Sequence, residues 1–257
     1  MILKNNKTAL NLAITFFKGN YLLSFLTIGV MIILNILGYL PIIGIFFIFA
    51  YTVLNLSIQI YFGQIVNSIQ NIDEIKQIVS EIKLLDFLTK FLAQAIGGFL
   101  GLIFIALILF ILFFILIIIF GGANIESFQF MQQFNQQEMT FAMVKIYFIP
   151  SLIILLIAGF LLYIFPAVMG EIILSKDFND AFKKALLLLK PSFWKKCFNK
   201  NYFLLIIVWS FIFFGLYILS LIFSLTIILL PVALVILYIL ALYNSAIYLF
   251  AKKLMEA

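Results

Sequence analysis

Residues 97–120 read GGFLGLIFIALILFILFFILIIIF. No charge and no proline interrupts them. A helix needs about 20 mostly apolar residues to cross a bilayer, and this stretch exceeds that length. Its excess over the minimum predicts a tilted span. Five further stretches of the same kind flank it, so the segments expected to cross are 20–38, 41–63, 94–120, 146–170, 202–224 and 226–250. Gly38-Tyr39-Leu40-Pro41 separates the first two and suits a tight helical hairpin.

Composition agrees. Of 257 residues, 66% are hydrophobic and 10% charged, against roughly 45–50% and about 25% in a soluble domain. A globular chain of this length has no interior large enough to hide so much apolar surface. The expected fold is all-α: a polytopic integral membrane protein forming one transmembrane domain over 1–257, its six spans arranged as three hairpins.

The charges orient it. The net charge is +6, and every basic residue is lysine. Lys4, Lys7 and Lys18 precede the first span, and Lys76, Lys83 and Lys90 follow the second. Lys176, Lys183, Lys184, Lys190, Lys195, Lys196 and Lys200 follow the fourth, and Lys252 and Lys253 close the chain. The loops on the other side hold only Lys145, near the end of 121–145. Cytoplasmic loops carry the excess of lysine and arginine, so both termini are expected in the cytoplasm. The apolar run near the start is too long for a cleaved signal and lacks a small-residue cleavage site.

The lysine-bearing connections have their own pattern. In 72–92, Ile72, Ile75, Val79, Ile82, Leu85, Leu88 and Leu92 recur at helical spacing, with charges on other faces. Residues 178–196 repeat the theme, and 5–18 is a shorter version. These are expected to be amphipathic interfacial helices on the cytoplasmic face, apolar sides toward acyl chains and lysines toward headgroups. The order helix, span, span then occurs three times. Lys18-Gly19-Asn20-Tyr21-Leu22-Leu23 and Lys200-Asn201-Tyr202-Phe203-Leu204-Leu205 echo each other at the start of the first and third units.

Few residues offer chemistry. There is no histidine and one cysteine, Cys197, so histidine acid–base catalysis, histidine triads and the usual zinc sites are excluded. Lys195 and Lys196 beside Cys197 would favour its thiolate, but a small packed residue is the simpler reading. No phosphate-binding or dinucleotide motif occurs. No enzyme activity, cofactor or metal is expected. Nucleic acid is an unsuitable partner, because a chain with no arginine lacks the bidentate fork such readers use.

Polar residues inside spans are the remaining candidates. Thr52, Asn55, Gln59 and Gly63 share one face of the second span; they would line a polar path or, more simply, bond between helices. Asn244, Ser245 and Tyr248 cluster near the end of the sixth. Glu171 is the one acid at a span end, suited to a headgroup, cation or proton, or to pairing with a nearby lysine. Gly97 and Gly101 form a GxxxG pair for close helix packing. Lys183, Lys184, Lys190, Lys195 and Lys196 are candidate headgroup contacts.

Within 166–196, Pro166-Ala167 and Glu171 end a span. Ala181-Phe182-Lys183-Lys184-Ala185 follows, then Leu189-Lys190-Pro191-Ser192-Phe193-Trp194-Lys195. This stretch resembles uncharacterised multi-pass bacterial families, the YciC-like proteins and the membrane domain fused to some glycerophosphodiester phosphodiesterases. Lysine stands here where those families use arginine. The resemblance implies a multi-pass architecture in a bacterial inner membrane and no defined activity; the phosphodiesterase chemistry itself needs histidines that this chain lacks. Two functions remain. One is an accessory protein binding membrane lipids, anionic ones in particular, or a protein partner on the cytoplasmic face. The alternative is a transporter or channel for a small neutral or lipidic solute.

Overall fold

The computed structural model describes residues 5–122, 136–226 and 228–256. The elements among them are helical: α1 (Asn6–Gly19), α2 (Tyr21–Leu37), α3 (Gly44–Ser68), α4 (Glu74–Ser80), α5 (Leu84–Thr89), α6 (Leu92–Gly122), α7 (Gln136–Ile173), α8 (Phe178–Ala185), a 3-10 turn (Leu186–Leu189), α9 (Pro191–Cys197), α10 (Lys200–Ser224) and α11 (Leu230–Met255). Short polar side chains set several starts. Asn5 accepts from the Thr8 N–H, Asn20 from Leu23, Asp177 from Asp180 and Asn199 from Tyr202, each satisfying a donor the first turn leaves open. The α2–α3 turn is tight. A Cβ on Gly44 would collide with the Gly38 backbone, and Ile42 takes a left-handed φ of 66°, unusual for a β-branched residue.

Five stretches are long and apolar enough to cross a membrane: Gly44–Ser68, Leu84–Ile119, Phe148–Ile173, Lys200–Ser224 and Leu230–Met255. A sixth exists if α1 and α2, which meet at a 98° bend, are taken as one span. The chain is thus an all-α, multi-pass membrane protein. The bounds differ from the sequence reading. α3 runs on to Ser68, and α7 begins at Gln136, making helix of 136–145 where a loop was expected. The rest of that loop, beyond the end of α6, lies outside the described residues, as does Lys4.

The chain divides into two compact units. One holds Met1–Gly101 and Phe165–Ala257, the other Leu102–Ile164. In the first, α11 is the central helix, and its side chains from Leu242 to Ala251 are nearly all buried. α10, α1 and α3 pack on it. The buried parts of α3 (from Val53 to Val66) and α7 (from Ala167 to Ile173) are those nearest the lysine-bearing segments, as are Tyr202, Leu205 and Ile206 of α10. The opposite halves turn apolar side chains outward: Ile45 is 69% exposed, Phe211 77% and Ile228 88%. Water would not tolerate that surface, and hydrocarbon covers it at no cost. The second unit is the far part of α6 and the near part of α7. Its surface is equally apolar, with Phe110 and Phe114 edge to face at 4.8 Å and Ile118, Leu155 and Leu156 exposed.

The amphipathic segments correct the sequence reading. The segment 72–92 is two short helices, α4 and α5, broken at Lys83, whose backbone is extended. The segment 178–196 is likewise α8, the 3-10 turn and α9. Much of their apolar sides is turned into the protein. Ile75, Val79, Phe87, Ala181 and Ala185 are 0% exposed, as are Ala9, Leu12, Ala13 and Phe16 of α1. Phe16 packs on Phe62 and Phe87 at 5.1 and 5.4 Å. Lipid and protein are equally apolar to such a face, so close van der Waals fit decides between them, and small residues on the neighbouring helices supply the fit.

The echo between the first and third units is offset at the helix caps. Asn20 caps α2, but the residue capping α10 is Asn199, two positions before its apparent counterpart Asn201.

Candidate functional site

The stripe on α3 divides into a bonded part and an open part. Thr52 donates to the Ile48 carbonyl at 2.9 Å, a bond within its own helix. Lower down, Ser245 donates to the Gln59 carbonyl. A Cβ on Gly63 would lie 2.5 Å from the Ile173 Cγ2 and 3.0 Å from the Ser245 Oγ. Gln64, next in the chain, donates to the Ile173 carbonyl at 2.6 Å. This end of the stripe is a seam joining α3, α7 and α11. The side-chain amides of Asn55 and Gln59 are half-buried and have no hydrogen-bond partner among the described residues.

Glu171 does not join that face. Its neighbours show where α7 points. Gly170 lies against Tyr248 and Lys252 of α11, Ile172 against Gly98 of α6, and Ile173 against Gly63 of α3. Successive helical residues step by about 100°, so Glu171 occupies the remaining sector, away from α3. It is half-buried and forms no ion pair among the described residues. Thr52, Asn55 and Gln59 are therefore together, and Glu171 is apart from them.

The lysines separate by partner. Lys184 is bonded to Asp180 at 3.2 Å and to the Leu174 carbonyl at 3.0 Å. Asp180 also accepts from the Lys176 backbone N–H at 2.9 Å. Partial burial opposes its charge, but that N–H and the Lys184 ammonium outweigh burial and hold its pKa below the ordinary carboxylate value. Lys184 is thus a clamp between the end of α7 and α8. Lys183, Lys190, Lys195, Lys196 and Lys200 are exposed, with no ion pair among the described residues.

Gly97 and Gly101 seat this basic segment. A Cβ on Gly97 would strike the Phe178 backbone, and one on Gly101 would lie 2.6 Å from the Ala185 Cβ and 3.0 Å from the Phe182 carbonyl oxygen. The GxxxG pair packs inside the chain, against α8. Beyond the turn, Trp194 donates its indole N–H to the Leu188 carbonyl at 2.8 Å.

Two bonded residues, Asn6 and Trp209, escaped the sequence reading. Asn6 donates to the Leu205 carbonyl at 3.1 Å and accepts from the Tyr243 hydroxyl, tying α1 to α10 and α11. Trp209 donates to Asn244 at 2.9 Å and packs on Tyr248, so α10 engages two members of the polar cluster of the last span while Ser245 bonds α3. A polar residue alone on an otherwise buried helical face was the available signal for Asn6.

Cys197 is 0% exposed, and its sulfur lies 3.3 Å from that of Met255. Burial pushes the thiol up to about 11, against an opposing hydrogen bond from Tyr202. Lys195 and Lys196 are exposed while the thiol is buried, so their proximity in sequence does not activate it. Only the thiolate reacts, so alkylation of the folded protein at pH 8 should be far slower than that of the same chain unfolded in SDS. Equal labelling rates in a maleimide time course would contradict the burial described here.

No family model, no curated protein and no solved structure matches the chain.

Proposed function

We propose that the chain is an accessory membrane protein that binds rather than catalyses, and that its lysine-rich end engages anionic lipid headgroups. In this reading six spans form three hairpins, both termini are cytoplasmic, and α1, α4, α5, α8 and α9 lie at the cytoplasmic leaflet. One observation carries it: five exposed lysines between Lys183 and Lys200 have no ion pair among the described residues, on a segment seated firmly against α6. Near a negatively charged leaflet each such lysine contributes about 1 kcal/mol. The bonding of Gln64, Trp209, Asn244 and Ser245 also supports binding over transport, since polar groups engaged between helices hold a bundle together and do not line a path.

Transport of a small neutral or lipidic solute is the second reading. It is favoured by the unpartnered amides of Asn55 and Gln59 alone. Protein purified in mild detergent and offered mixed phosphatidylglycerol and phosphatidylcholine is expected to retain the anionic lipid selectively, by native mass spectrometry. Retention without preference would refute headgroup binding. Saturable uptake into proteoliposomes, lost in Asn55→Leu and Gln59→Leu, would establish transport instead.

A further inference from the structure

The register of α8 against α6 gives the basic segment a direction. α6 leaves the lysine-bearing end at Leu92 and runs inward, and its residues serve as a ruler. Phe178 opens α8 beside Gly97, while Phe182 and Ala185 lie beside Gly101. Four helical residues span about 6 Å. α8 therefore descends obliquely along α6 by roughly one turn. Next come Leu186, Leu187, Leu188 and Leu189, then Lys190 and Pro191. α9 climbs back, because Cys197 meets Met255 and Asn199 donates to the Leu254 carbonyl at 3.4 Å, both in the last turn of α11. The Trp194–Leu188 bond ties the returning leg to the turn. The four leucines lie between the descent and the return. Leu188 is 4% exposed and Leu189 37%, so the tip presents apolar surface outward at its far edge.

We propose that residues 178–197 form a shallow re-entrant wedge: the four-leucine tip sits among the upper acyl carbons of the cytoplasmic leaflet, and Lys183, Lys190, Lys195 and Lys196 hold phosphates of anionic phospholipids around it. The inference rests on the headgroup reading above and adds depth and stoichiometry to it. A soluble acidic partner would satisfy the lysines and leave a leucine edge in water, whereas a leaflet offers phosphate and hydrocarbon a few ångströms apart. The long lysine stems allow both, since Lys183 and Lys190 can lay their methylenes along apolar surface and keep their ammonium groups at the phosphates. Lys184 is excluded from the set by its bonds to Asp180 and Leu174.

The test uses the full chain in nanodiscs containing phosphatidylglycerol. Leu189→Cys, carrying an environment-sensitive fluorophore, reports on the tip. Ser192→Cys reports on the returning leg and keeps the experiment readable if the tip variant misfolds. The expected result is that lipids brominated near the top of the acyl chain quench the Leu189 label more strongly than the Ser192 label, and that aqueous iodide does the reverse. In parallel, changing Lys183, Lys190, Lys195 and Lys196 to glutamine is expected to cut selective retention of phosphatidylglycerol by about fivefold for each lysine that binds. Iodide quenching of Leu189 without bromine quenching overturns the wedge and leaves headgroup binding standing. Bromine quenching with unchanged lipid selectivity in the glutamine variant overturns the phosphate role, and headgroup binding with it.

Discussion

Gly170→Ala should loosen the bundle at its centre. A methyl group there would fall on the Tyr248 carbonyl oxygen, 2.9 Å from its carbon and 2.6 Å from the Lys252 Cβ. The obstacle is backbone, so no side chain can swing aside. α7 would have to move off α11, and the seam it shares with α3 through Ile173, Gly63 and Gln64 would open with it. Overpacking of this kind costs about 1–3 kcal/mol, and the backbone contact puts Gly170 at the upper end. Gly29→Ala and Gly215→Ala are the matched controls. Nothing lies within 4 Å of a Cβ at either site, and replacing a helical glycine by alanine gains up to about 1 kcal/mol in propensity. Unfolding in SDS followed by circular dichroism should therefore show a large loss for Gly170→Ala and none, or a gain, for the controls. If all three variants unfold alike, α7 does not sit against α11 as described.

The contrast among these glycines marks the limit of what the sequence made legible. The spans could be read because an uninterrupted run such as 97–120 has one tolerable solvent, and a length criterion recognises it. Gly97 and Gly101 could be read as a packing pair because small residues at that spacing serve little else. Their partner could not be read. α8 is separated from them by an entire span and its return, and hydropathy does not distinguish a face that meets lipid from one that meets protein. The same blindness put the apolar sides of α1, α4, α5 and α8 toward acyl chains. Helical period located those faces, but the choice between two apolar surroundings depends on fit, which is a property of the assembled bundle. Glu171 stood out as the one acid at a span end, yet its separation from Thr52, Asn55 and Gln59 emerged only once Gly170, Ile172 and Ile173 had been given their neighbours. Lys184 looked like its fellow lysines until Asp180, four residues before it, and the end of α7 were seen to claim it.

Asn6 is the second site where a single change should be costly. It is 8% exposed, Tyr243 is 0%, and the amide joins the first helix to the last two. In Asn6→Leu the Tyr243 hydroxyl loses its acceptor and the Leu205 carbonyl loses its extra donor, both away from water. An orphaned buried polar group costs about 1–3 kcal/mol, while an interhelical bond in a membrane protein is worth roughly 0.6–2 kcal/mol. The Leu205 carbonyl still has a second site for an intrahelical donor, so most of the loss comes from the hydroxyl. A destabilisation of about 2 kcal/mol is expected for Asn6→Leu, and somewhat less for Tyr243→Phe, because the amide left behind keeps its bond to Leu205. The double variant separates this bond from general packing. With both partners apolar no hydroxyl is stranded, so Asn6→Leu with Tyr243→Phe should be less destabilised than the sum of the single changes, by on the order of 1 kcal/mol. Strict additivity in the same unfolding assay would mean that the hydroxyl and the amide do not meet. It would also remove the polar link that, among the described residues, fixes where α1 crosses α11, leaving that crossing to apolar contacts such as those of Ala9, Leu12, Ala13 and Phe16.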